Sequence, residues 1–126
     1  RNKNPKTDLT MSEKRELPIS LFPVSNEARS EPFVSEVDLT GILPVGKTIK
    51  VFWSKGGDEN GAFNRTVGDP ENPADTQKRM VDSRKGSSGD ITPQKGQQVI
   101  YRNITKDAAP YDSAIQFLFT WEEESE

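Results

Sequence analysis

Apolar residues fall into two islands along the chain and, inside each island, on every second position. Of 27 Leu, Ile, Val and Phe residues, residues 16–53 hold 15 and residues 99–121 hold 7, which leaves Leu9 near the front and Phe63, Val67, Val81 and Ile91 for residues 54–98. Leu17, Ile19 and Leu21 are separated by Pro18 and Ser20; Phe33, Val37 and Leu39 share one phase, with Val34, Glu36 and Asp38 on the other. Ile49, Val51 and Trp53 alternate with Lys50 and Phe52, and Ile115, Phe117, Phe119 and Trp121 alternate with Gln116, Leu118 and Thr120. A period of two sends successive side chains to opposite faces of a pleated strand, so each segment is predicted to be a half-buried β-strand. The β-branched and aromatic run Val99-Ile100-Tyr101-Arg102-Asn103-Ile104 adds a fifth. Pro18 and Pro23 lack the N–H that a central strand donates, which places the first strand, near 16–24, at a sheet edge or bend. The 115–121 strand has the richest apolar face and belongs in the middle of the core.

The punctuation between these runs favours antiparallel pairing. Pro44-Val45-Gly46-Lys47 has the makings of a tight, hairpin-like turn, because Pro fixes φ and Gly accepts a positive one. The middle of the chain is dense in turn formers, from Gly56-Gly57-Asp58-Glu59-Asn60-Gly61 through Gly68-Asp69-Pro70-Glu71-Asn72-Pro73 to Gly86-Ser87-Ser88-Gly89-Asp90. Within it, Asn72 as cap, Pro73 at the first helical position, Asp75 in the first turn and Gly86 as terminator outline one short helix near 73–85, with irregular loop as the alternative. The expected fold is all-β, an immunoglobulin-like antiparallel β-sandwich over residues 16–121 with a long polar insertion at 54–98. A flexible arm is expected at 1–15 and an acidic tail at 122–126.

The passage Val37-Asp38-Leu39-Thr40-Gly41-Ile42-Leu43-Pro44-Val45-Gly46-Lys47-Thr48-Ile49-Lys50-Val51 resembles the strand–turn–strand segment of fibronectin-type-III and bacterial immunoglobulin-like surface modules. There a Leu-Thr-Gly-Leu-x-Pro run leads through a Gly-bearing turn into an alternating strand. The resemblance implies a β-sandwich serving as a surface module. Thr48 and Ile49 stand near the place of the tyrosine those families carry.

Composition then narrows the chemistry. The 126 residues include no Cys and no His, which removes disulfides, thiol nucleophiles, the commonest general base and the usual transition-metal ligands. A net charge of −3 from 17 basic and 20 acidic residues is too small to announce a nucleic-acid partner. Lys78, Arg79, Arg84, Lys85 and Lys95 make the middle locally basic, but no aromatic residues interleave with them and Asp75, Asp82 and Asp90 dilute the field. No nucleic-acid partner is expected. No phosphate-loop frame occurs; the carboxylates read as solvated surface charge, with acid–base catalysis by a pair of them as the alternative. Asp58, Glu59, Asn60, Asp69, Glu71 and Asp75 read as turn chemistry, with Ca²⁺ as the alternative. No cofactor and no catalytic residue are expected. No apolar run is long enough to span a bilayer, so no membrane insertion is expected either. The opening Arg1-Asn2-Lys3-Asn4 has neither an initiator Met nor a signal-peptide core, which suggests a processed or excised product.

Four residues remain as candidate contacts. Phe52 and Leu118 lie out of phase with their core-facing neighbours, so either both sheet faces are covered or an apolar strip meets another subunit. Trp53 and Trp121 are in phase with the core, with sugar stacking as the alternative. Asn64-Arg65-Thr66 and Asn103-Ile104-Thr105 match the glycosylation triplet. The function expected is a non-enzymatic structural or interaction module of a bacterial cell surface or phage particle, extracellular or in the virion, with a protein partner or self-assembly. The alternatives are a carbohydrate- or ligand-binding module and a small carboxylate-dependent hydrolase.

Overall fold

A computed structural model describes residues 12–23, 34–55, 61–68, 76–81, 85–105 and 114–124. Every regular element among them is a strand: β1 Ser12–Leu21, β2 Glu36–Asp38, β3 Lys50–Lys55, β4 Gly61–Gly68, β5 Thr76–Val81, β6 Lys85–Ser87, β7 Gln98–Asn103 and β8 Ile115–Glu124. They form two four-stranded sheets, ordered β1-β8-β3-β6 and β2-β7-β4-β5, with every pairing antiparallel. β1 lies at an edge, as its prolines require, and β8 lies between β1 and β3, as its apolar face suggests.

The order within the sheets has a simple generator. The pairs β1·β8, β2·β7, β3·β6 and β4·β5 are nested one inside another, as in a single long hairpin, and the contacts β3·β8 and β4·β7 roll that hairpin into two sheets. Eight strands wound this way make a jelly roll. The immunoglobulin order expected from residues 37–51 would instead group strands as ABED and CFG. The turn expected at residues 44–47 is formed. Gly46 takes φ 83° and its N–H reaches the carbonyl of Pro93. The Thr40 N–H binds Asp38 Oδ1 at 2.9 Å, and the N–H groups of Ile42 and Leu43 bind the carbonyl of Leu39. Because β2 and β3 sit in different sheets, this segment crosses between sheets and makes no hairpin.

The middle of the chain is likewise part of the sandwich. The expected polar insertion at 54–98 supplies β4, β5 and β6, and β4 sends Phe63 and Val67 into the core. Residues 76–81, expected as helix, are strand β5, in register from Gly61↔Val81 to Thr66↔Thr76. An isolated helix with so few apolar residues would have no stripe to dock, whereas a strand can pair its backbone along β4. The strands also overrun both expected ends of the domain. Ser12 to Arg15 of the expected arm pair with Glu124 to Trp121, so the acidic tail is strand as far as Glu124.

The core fills the space between the sheets. Leu21, Val51, Ile115, Phe117 and Phe119 from one sheet meet Phe63, Val99 and Tyr101 from the other. Phe117 sits edge-on to Phe63 at 4.9 Å and to Tyr101 at 5.3 Å between ring centroids, and Tyr101 meets Phe119 at 5.1 Å. Offset and edge-on ring pairs of this kind add to the apolar burial. Polar contacts close the interior: Arg65, buried on β4, reaches the carbonyls of Ser88 and Gly89.

Candidate functional site

Inward residues of the first sheet go mainly to the core, so a contact surface on that sheet comes chiefly from the opposite phase, with Trp121 the inward-phase exception near its end. Register aligns these outward residues in rows: Pro18, Leu118, Phe52 and Ser87 form one, and Glu16, Thr120 and Lys50 form the next. A third consists of Ser20, Gln116, Ser54 and Lys85. Phe52 and Leu118 are therefore direct cross-strand neighbours, with Phe52 41% exposed, Leu118 half-buried and Pro18 exposed. The sheet presents a short apolar row inside polar ones.

Beside that row, toward the end of the sheet where β3 begins and β8 approaches its end, lies a cleft of about 480 Å³. Lys14 enters it from β1, Lys50 and Phe52 from β3, Thr120, Trp121 and Glu122 from β8, and Lys47 and Thr48 from the turn before β3. Three lysines against one glutamate leave a local charge of 3 − 1 = +2 among the lining residues, in a chain of net −3. Lys14 pairs with Glu16 at 3.6 Å. Neither Lys47 nor Lys50 forms a salt bridge among the described residues. The cleft thus offers ammonium and hydroxyl donors beside two aromatic rings.

Trp121 is fixed from behind. Its Nε1–H donates to Glu123 Oε2 at 3.2 Å, and Arg15 Nε donates to Glu123 Oε1 at 3.0 Å. The indole hydrogen bond first, and then Arg15, hold the Glu123 carboxyl below its ordinary pKa, with a further contribution from the field of Lys47.

The four residues singled out in the sequence divide cleanly. Phe52 and Trp121 both line the cleft, Trp121 while also packing against the core as its phase predicts, and Leu118 adjoins Phe52 on the face. Trp53 points inward, packs on the core and lies against Gly86 of β6, away from the cleft. The lysines and threonines were missed because they belong to three segments that pairing alone brings together. The available signal was that Lys50 and Phe52 share a phase, as do Thr120 and Glu122.

Asn103 of the second glycosylation triplet is fully buried, with its side chain bound to Leu21 and Thr105, so it is no acceptor in the folded protein. The acidic turns at 58–60 and 69–75 lie outside the described residues. Comparison with protein-family models and with curated proteins finds no match for this chain.

Proposed function

We propose that the protein is a non-enzymatic structural module of a bacterial cell surface or phage particle, which assembles through the outer face of its first sheet. The observation that carries this reading is the apolar row of Pro18, Leu118 and Phe52 at the surface of an otherwise polar face, where strand alternation alone would put polar side chains. Its surroundings suit a second copy of the same chain. Lys14, Lys50 and Lys85 lie on the same face as Glu16 and Glu122, so a two-fold pairing can set unlike charges opposite each other around an apolar centre. The jelly-roll architecture recurs in viral capsid and lectin domains, an analogy at the level of fold that agrees with a particle or adhesive setting.

Sedimentation velocity over a wide concentration range tests the reading. The weight-average coefficient is expected to rise with concentration, and Phe52→Lys or Leu118→Lys is expected to weaken association at least about tenfold while far-ultraviolet circular dichroism is unchanged. A monomer at every concentration, or association indifferent to both changes, overturns it. Ligand binding is the second reading, favoured by a cleft that Phe52 and Trp121 both line.

A further inference from the structure

The cleft beside Phe52 borders the assembly face, sharing Phe52, Lys14, Lys50 and Glu122 with it, but adds Lys47, Thr48 and Trp121 and so has a chemistry of its own. We propose that it binds a carboxylate-bearing saccharide, with the carboxylate at the lysines and a sugar ring face against the aromatic side chains. This goes beyond the assembly reading, because the site is complete within one chain.

Three features define the ligand. The first is sign. Lys14, Lys47 and Lys50 converge on one cavity from a strand, a turn and another strand, in a protein whose overall charge is −3. Lys50, and Lys47 apart from its field at Glu123, are without a salt bridge among the described residues and can face a ligand. The second is extent. Glu13, Glu16, Glu123 and Glu124 lie along β1 and the end of β8 around the cleft. A long polyanion would have to cross these carboxylates, and nucleic-acid binding draws its affinity from many phosphates neutralised along a track. A compact anion in the cleft meets three lysines against the single carboxylate of Glu122. The third is shape. About 480 Å³ falls within the roughly 300–1,000 Å³ of small-molecule sites, and the lining joins two rings to the hydroxyls of Thr48 and Thr120. A sugar acid matches each part: a carboxylate for ammonium groups, C–H faces for the rings, and hydroxyls for polar side chains.

The test is calorimetric titration of the full chain at low ionic strength. The probes are glucuronate- and galacturonate-terminated disaccharides, each with the neutral glucose- or galactose-terminated counterpart that lacks only the carboxylate. At least one acidic disaccharide is expected to saturate the protein, with its neutral counterpart at least about tenfold weaker. Exposed charge contacts are individually weak and screened, so Lys47→Gln with Lys50→Gln should cost about tenfold, and about 0.5 M salt a similar factor. An unchanged melting temperature for the double variant shows that the loss is local.

The proposal is overturned if no acidic disaccharide binds, if the neutral ones bind equally, or if the double variant binds as well as the parent. Tighter binding of a hexanucleotide or an acidic peptide than of any acidic sugar overturns it too. Assembly is read through Leu118, which does not line the cleft, and saccharide binding through Lys47, which takes no part in the assembly face, so either can fail alone.

Discussion

Asn103 of β7 donates from Nδ2 to the carbonyl of Leu21, the last residue of β1, at 3.1 Å, and so ties one sheet to the other through a single fully buried amide. Its Oδ1 accepts from the Thr105 N–H at 3.0 Å, and the Thr105 hydroxyl in turn binds the N–H of Ala62 at 2.9 Å. Sheet edge, sheet centre and the start of β4 are joined in one chain of contacts. Asn103→Ala leaves a buried carbonyl and a buried N–H without partners, at about 1–3 kcal/mol each. A loss of about 2–6 kcal/mol is therefore expected in urea unfolding, with Asn103→Asp also destabilising because it buries a charge. A change below about 0.5 kcal/mol for the alanine variant would show that the amide does not join the sheets.

Gly86 on β6 faces Trp53 across the ladder at such close range that a Cβ added there would stand 2.7 Å from Trp53 Cζ2 and 3.0 Å from Cε2. The obstacle is a rigid ring packed on the core, so the strain must move either the indole or the edge strand. Gly86→Ala is expected to cost about 1–3 kcal/mol and to shift Trp53 emission to longer wavelength as the ring becomes hydrated. Unchanged stability and emission would mean that β6 yields without disturbing the tryptophan.

Phe117 is the ring at which the sheets meet, since it touches both Phe63 and Tyr101 of the opposite sheet. Phe117→Ala should cost about 3–5 kcal/mol, much of the stability of a small domain. Phe117→Leu, which retains most of the volume, should cost distinctly less. Equal costs would indicate that the edge-on contacts matter more than the filled space. Denaturant unfolding followed by near-ultraviolet circular dichroism distinguishes the outcomes.

How much of this was legible along the chain depends on where apolar contrast is strong. Ile115, Phe117 and Phe119 recur on every second position with Gln116 and Thr120 in the opposite phase, and β8 is where its pattern placed it, beside an edge strand marked by Pro18. β4 was hidden because its inward face carries Arg65 between Phe63 and Val67, while its other face is built from Ala62, Asn64, Thr66 and Gly68. With so little contrast, a central strand resembles a polar loop. β5 was misread for a related reason. Capping and terminating residues suggested a helix, but the decisive fact, the pairing of β4 with residues 76–81, is non-local and leaves no period in the sequence. The same limit applies to the cleft: Phe52 and Trp121 were visible as individual anomalies, whereas Lys14, Lys47 and Lys50 become one site only when β1, β8 and β3 lie side by side.

Glu123 gives the end of the sandwich a pH dependence whose sign follows from its hydrogen bonds. The Trp121 indole N–H and the Arg15 guanidinium favour its ionised form, so its folded pKa lies below the ordinary carboxylate value of about 4. A depressed folded pKa means that the unfolded chain takes up the proton first on acidification. The contribution of Glu123 is therefore complete above the unfolded value and disappears as pH falls through the folded one. Asp38, lowered by the Thr40 hydroxyl and backbone N–H, loses its contribution over a similar acid range, so the parent curve alone cannot isolate Glu123. The comparison with Glu123→Gln can. The parent should melt above the variant at neutral pH, with the gap closing as the pH falls below the ordinary carboxylate range. Trp121 emission in the parent should change over the same interval. A gap that stays constant across that range would mean that the carboxylate charge contributes nothing and that packing of the side chain accounts for the whole difference.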